Sequence, residues 1–312
     1  MPTREYTGYG PDVLFLLWAA RRTGVLEALT DAAGTPEDVA CRAGVTDEAA
    51  RVVVYSLADL GFLARVGDEY EPTNRLLGFL AKRDVRSIGR LPHALDELDL
   101  LVELPETMRT GERPDLPEDW RVNQLGAHAA TDEALVRARV TAAVRAHPGA
   151  ERVLDVCGGS GVHGVEFAER GRSVTVLDDP ETREIVGGAF GDRVETTCAS
   201  LAALGGEDYD LAFAAGTLHE MAPAECEAYL ARVYNVLAAD GVAVFVDVFR
   251  DRADPERVAS VATRALARGD GGVHTTGDVE AWAEAAGFET LTVDAVPGTG
   301  EVAAVAHKHD VH

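Results

Sequence analysis

At 312 residues the chain exceeds the length at which one domain is the default, so two are expected. Net charge is −24, and the basic residues are almost all arginine, with lysine only at positions 82 and 308. So acidic a surface repels phosphate, which argues against nucleic acid, and suits a cytoplasmic protein of an extreme halophile, where salt screens self-repulsion. The longest largely apolar runs, such as residues 13–20 and 242–248, are too short to span a bilayer. No signal peptide is evident, and Cys41, Cys157, Cys198 and Cys226 lack the paired spacing of a disulfide or zinc framework.

In chain order, residues 12–29 predict an apolar helix interrupted near Gly24. Thr35-Pro36-Glu37-Asp38 is a helix start, with Thr35 as N-cap, Pro36 in the first turn and acids facing the dipole. That helix ends at Gly44. Thr46-Asp47-Glu48 opens the next, whose apolar side carries Val52, Val53, Leu57 and Leu60. Residues 62–66 and 70–72 flank Gly67-Asp68 as a small hairpin. Helix, turn, helix, hairpin is the winged-helix order. The helix that would enter a DNA groove carries Asp47, Glu48 and Asp59 against Arg51, so a dimerisation module is the expected use. The helix at 12–20 is apolar on nearly every side and predicts a homodimer. Residues 95–104 and 131–147 predict two further helices, separated by Pro114 and Pro117.

The last half alternates strand and helix. Residues 152–156 form a strand that runs into Cys157-Gly158-Gly159-Ser160-Gly161, then a helix at 162–170 and a strand at 173–177 followed by Asp178. Further strands are expected at 209–215 and 242–248, with a helix at 223–238 and a turn at Asp240-Gly241. A helix at 277–286 precedes strands 288–295 and 302–307, whose short link demands an antiparallel hairpin. The expected fold is therefore α/β: a doubly wound, Rossmann-like sheet ending in an antiparallel hairpin, preceded by an α-rich winged-helix domain. The boundaries are 1–90, a helical linker 91–148, and 149–312.

Glycines let a ligand approach the backbone closely, and the helix after them presents free N–H groups. Gly159, Gly161 and Gly164 satisfy the dinucleotide spacing, so a nicotinamide enzyme is one reading. Asp155 at the strand end, able to hold a cationic amino group, and the terminal hairpin point elsewhere; Asp178 suits ribose hydroxyls in either case. The run from Val153 to Gly161 resembles motif I of class I S-adenosylmethionine-dependent methyltransferases, and Leu177-Asp178-Asp179-Pro180 resembles their ribose-binding turn. The whole order of elements, with Thr107–Pro114 as an interdomain segment, resembles the two-domain small-molecule O-methyltransferases of the caffeic acid and hydroxyneurosporene type.

That resemblance implies S-adenosylmethionine as cofactor, bound by Asp155, Cys157, Gly159, Gly161, Asp178, Ser200 and Leu201, with a small-molecule methyl acceptor, a homodimer, and no resident metal. Cys157 stands where the family has the first loop glycine, which is tolerable if its backbone angles are ordinary. Ser200-Leu201 replaces an acid and an apolar residue around adenine. Leu218-His219-Glu220-Met221 matches the family's Leu-His-Asp-Trp, so His219 is the implied general base; a structural, cofactor-side role is the other reading. His274 is expected as a solvated loop residue or a polar pocket residue, and His163 on an exposed helix turn. His307, His309 and His312 lie in a tail expected to fray. Two further functional readings stay open: an effector-responsive winged-helix regulator, and methyl transfer to carbon or nitrogen without a histidine base.

Overall fold

The computed structural model describes residues 9–31, 34–80, 84–187, 194–204 and 208–308. Two compact units result: Met1–Asp99 with Leu116–Ala130, and Leu100–Asp115 with Thr131–His312.

The first unit opens with helices α1 (Pro11–Arg22), α2 (Val25–Asp31), α3 (Pro36–Ala43) and α4 (Asp47–Asp59). Thr35 and Asp38 close a reciprocal capping box on α3, and the Thr46 hydroxyl caps α4 through the Ala49 amide at 3.2 Å. The hairpin β1 (Leu63–Val66) and β2 (Glu69–Pro72) follows in antiparallel register. Helices α5 (Asn74–Leu80), α6 (Val85–Ile88), α7 (Leu91–Thr110) and α8 (Trp120–Ala129) complete the element order before the second unit, and α7 supplies residues to both. Leu17, Leu26, Leu29, Val54, Leu57, Phe62 and Leu76 form its core. Arg21 bridges Asp96 and Asp99 at 2.6 Å each, and Asn123 donates to Asp96 at 2.7 Å, so one buried carboxylate ties α1, α7 and α8 together. Only Leu17 and Ala20 of α1 are buried, and Phe15 is 49% exposed.

The second unit holds α9 (Glu133–Ala146), β3 (Arg152–Val156), α10 (Val162–Glu169), β4 (Ser173–Leu177), α11 (Pro180–Val186), β5 (Glu195–Thr197), β6 (Tyr209–Ala215), α12 (Pro223–Val236), β7 (Leu237–Asp247), α13 (Pro255–Arg268), α14 (Thr276–Ala286), β8 (Thr290–Val296) and β9 (Glu301–His307). The sheet order is β5-β4-β3-β6-β7-β9-β8. Its first five strands are parallel; β9 enters antiparallel between β7 and β8, as the short link required. One face packs Tyr229, Leu230 and Val233 of α12 and Val279 and Ala283 of α14 against Leu154, Ala212 and Phe245. On the other, Phe167 of α10 meets Phe213 edge-on at 5.2 Å.

The expected turn at Asp240-Gly241 is instead a bulge inside β7. Asp240 adopts φ 59°, the register against β6 shifts between Tyr209 and Leu211, and pairing continues on both sides. Helix α13 was not anticipated, although Asp254 caps it at the Glu256 amide (2.9 Å), Pro255 opens it and Gly269 closes it at φ 73°.

Candidate functional site

The glycine loop joins β3 to α10 at the C-terminal edge of the parallel strands, the edge where open α/β folds bind ligands. Gly159 and Gly161 adopt φ 55° and 70°, left-handed angles that favour glycine. Gly158 and Gly164 are needed for space: a Cβ would stand 2.6 Å and 2.7 Å from the methyls of Val176. Cys157 corrects the expectation of ordinary angles. Its φ is 56°, the thiol is exposed, and it lies beside the buried Tyr229 hydroxyl of α12, whose pKa is driven well up by burial and by Cys157 and Asp155.

Asp178, at the end of β4, accepts the Gly159 amide at 2.7 Å and the Asp179 amide at 2.8 Å, so one carboxylate fixes the loop to the neighbouring strand. Asp155 lies beneath the loop, 1% exposed. Burial pushes its pKa to about 7 and the Asp178 charge adds to that, against the Gly164 amide, which lowers it. Its Oδ2 has no hydrogen-bond partner among the described residues. Past β5, Ser200 is exposed and Leu201 packs half-buried on the core.

The edge continues past β6. Gly216, at φ 70°, donates to the Val246 carbonyl (2.8 Å) and turns the chain into a single 3₁₀ turn, Leu218–Glu220. The His219 imidazole sits with Nδ1 2.8 Å from Oδ1 of Asp247, the last residue of β7. Asp247 is buried and also accepts the His219 and Val248 amides at 3.2 and 2.7 Å. Burial would raise its pKa, but the histidine and these amides hold it below the usual carboxylate range. For His219, burial works downward; the Asp247 charge and hydrogen bond overcome it, and the pKa stands above the ordinary 6.5. An acceptor carboxylate at Nδ1 assigns the proton there and leaves Nε2 with its lone pair. Asp247 was not singled out in the sequence; its only signal is an acid closing an apolar strand.

Four residues hold this turn. Gly271, at φ 72°, packs its backbone against it so tightly that a Cβ would stand 2.2 Å from the His219 carbonyl oxygen. The Gly272 amide donates to that oxygen at 3.0 Å. His274 is buried rather than solvated. Its Nε2–H serves the Leu218 and Met221 carbonyls at 3.1 and 3.0 Å, while its ring meets Trp282 edge-on. Cys226 donates to Leu218 as well, its thiol pKa pushed to about 12 by burial. His163, expected on an exposed turn, is 2% exposed, with its ring 5.3 Å from Phe213 and Nε2 3.4 Å from Arg139. His307 is half-buried in β9, and His309 and His312 lie outside the described residues. Among the described residues no helix is long and apolar enough to cross a membrane.

Residues 153–241 match the family model of a methyltransferase domain, and the seven-stranded sheet has the Rossmann-like fold of solved methyltransferases. Particular relatives follow from solved structures. Human N-acetylserotonin methyltransferase, in complex with S-adenosylmethionine, is 19% identical with a TM-score of 0.69, covering 96% of this chain and 94% of that one. Mitomycin 7-O-methyltransferase is 17% identical at 0.65, over 95% and 94%. N,N-8-amino-8-demethyl-D-riboflavin dimethyltransferase from Streptomyces davawensis is 16% identical at 0.66, over 95% and 96%. At these identities the likeness is one of fold. No curated protein sequence matches the chain.

Proposed function

We propose that the chain is an S-adenosylmethionine-dependent methyltransferase that methylates a hydroxyl of a small molecule, with His219 as general base. The observation that carries this reading is the His219–Asp247 pair at the edge shared with the glycine loop and Asp178. The residues present fit the cofactor: left-handed glycines leave room beside the loop, Asp178 offers carboxylate oxygens to a ribose diol, and Ser200 and Leu201 offer a hydroxyl and an apolar side chain to adenine. Asp155 supports the loop from below. When bound, S-adenosylmethionine supplies an electrophilic methyl group.

The protein's own part is to orient the acceptor and take its proton. Nε2 of His219 accepts the hydroxyl proton, and Asp247, already bonded to Nδ1, stabilises the imidazolium that forms. A buried carboxylate behind the ring has little purpose for an acceptor without a proton to lose, such as a tertiary amine.

A phenol series of graded pKa tests the reading. His219→Ala should lower turnover by about 10²–10⁴ on weakly acidic phenols and far less on ionised ones, with S-adenosylhomocysteine affinity within a few-fold of wild type. Equal loss across the series removes His219 as base and returns the acceptor to carbon or nitrogen.

A further inference from the structure

On the α9 side the sheet is not filled to its edge. Ala303, Val305 and His307 alternate along β9 and so share one face, and the register sets Thr292 and Asp294 of β8 beside Val305 and Ala303 on that face. Ala138 and Ala142, one turn apart on α9, stand over the same strands. These residues line a cavity of about 810 Å³, within the size range of small-molecule sites. Interiors are otherwise close-packed, and alanine at 138, 142 and 303 is what leaves this space open. Its floor is apolar, with Ala303 and Val305 buried.

Charge is unevenly placed along the cavity. Val153, Leu211, Val242 and His307 form one row across the sheet, at the edge where β3 begins. Arg145 is in the last turn of α9, just before β3, so Arg145 and His307 line the same end. Among the described residues neither side chain has a hydrogen bond or an ion pair, whereas Arg137, also in the lining, is held by Glu133 at 3.0 Å. The lining's one acid among the described residues, Asp294, lies four residues farther along the ladder, about 13 Å away. In a chain with 53 acids to 29 bases, that end is a local reversal of charge.

We propose that this cavity is a second ligand site, for an amphipathic monocarboxylate, at the edge opposite the glycine loop. The apolar body lies on Ala142, Ala303 and Val305, and the carboxylate meets Arg145 and His307. The guanidinium fork matches two carboxylate oxygens, and the imidazole adds one N–H. Asp294 repels a second anionic group at the far end, which restricts the class to one acid group on an apolar tail.

The probes are decanoate, decanol and decyltrimethylammonium, titrated by calorimetry into the full chain with and without saturating S-adenosylhomocysteine. Decanoate should bind at a single site, about tenfold or more tighter than either of the others, the order of one charge-assisted contact. Arg145→Gln should abolish that margin and leave decanol as before. Ala142→Leu, which fills the floor, should weaken decanoate and decanol alike by about tenfold; if it lowers the melting temperature, Ala138→Leu takes its place. S-adenosylhomocysteine should neither compete with decanoate nor bind differently to the variants. Absence of saturable binding, decanol binding as tightly as decanoate, a margin that survives Arg145→Gln, or indifference to the filled floor overturns the assignment. Competition by S-adenosylhomocysteine does so too, because the tail then lies at the cofactor edge. Should S-adenosylhomocysteine fail to bind wild type, the methyltransferase reading falls, and the decanoate margin and its two variants still decide on this cavity.

Discussion

Cys157 occupies a left-handed angle, φ 56°, that costs a side chain roughly 1–2 kcal/mol, of which glycine's greater unfolded entropy returns part. Cys157→Gly should therefore stabilise the protein by about 0.5–1 kcal/mol, read as a higher melting temperature. A lower one would mean that the thiol's contact with Tyr229 outweighs the strain. Asp178→Ala should weaken S-adenosylhomocysteine at least tenfold, the order of one lost charge-assisted contact of about 1.5–3 kcal/mol, with the fold retained. Unchanged affinity by calorimetry removes Asp178 from the site. Asp155 titrates near 7 in the fold against 3.8 as its ordinary value. The fold therefore binds a proton that the unfolded chain has released, and stability falls as pH rises from about 4 through 7, by on the order of 4 kcal/mol at roughly 1.4 kcal/mol per unit. Asp155→Asn should lack this loss, so its melting temperature relative to wild type should climb between pH 5 and pH 8; a constant difference refutes the assignment. His219 titrates above its ordinary value because of Asp247, so turnover on weakly acidic phenols should rise through that elevated pKa, and Asp247→Asn should move the acid limb to lower pH. Most of these side chains were legible because glycine spacing and strand ends mark them locally. Asp247 and the burial of His163 and His274 were not, since each is set by pairing between distant segments.

The caps at Thr35 and Thr46 were readable as N-terminal signatures, and the two-strand ending followed from a link too short for a crossover. The bulge in β7 was not, because Asp-Gly reads as a turn unless the partner strand is known; β6 pairs on both sides of it and keeps Asp247 in the same strand as Leu237. The loop between α13 and α14 is the element on which the His219 turn leans. Gly271→Ala would place a methyl 2.2 Å from the His219 carbonyl oxygen at a φ of 72°. Turnover should drop by an order of magnitude or more while S-adenosylhomocysteine affinity, which depends on the other strands, holds. Parallel loss of both would show that the turn and the glycine loop move together.

At the scale of the whole molecule, charge dominates. With a net −24, raising salt from about 0.1 M to about 1 M, which shortens the Debye length from about 10 Å to about 3 Å, should raise the melting temperature. A fall would count against adaptation to salt. The 49% exposure of Phe15 on α1 supports the proposal that the chain works as a homodimer through this helix. Light scattering at about molar salt should give twice 33.1 kDa; a 33.1 kDa species alone refutes it. The placing of β9 between β7 and β8 bears on how the protein is made. While the ribosome is still short of Glu301, β7 presents a bare, valine-rich margin with Asp247 at its end. A message interrupted just before the codon for Glu301 would release a chain with every candidate site residue and no stable place to hold them, its open margin available for strand pairing with another such chain.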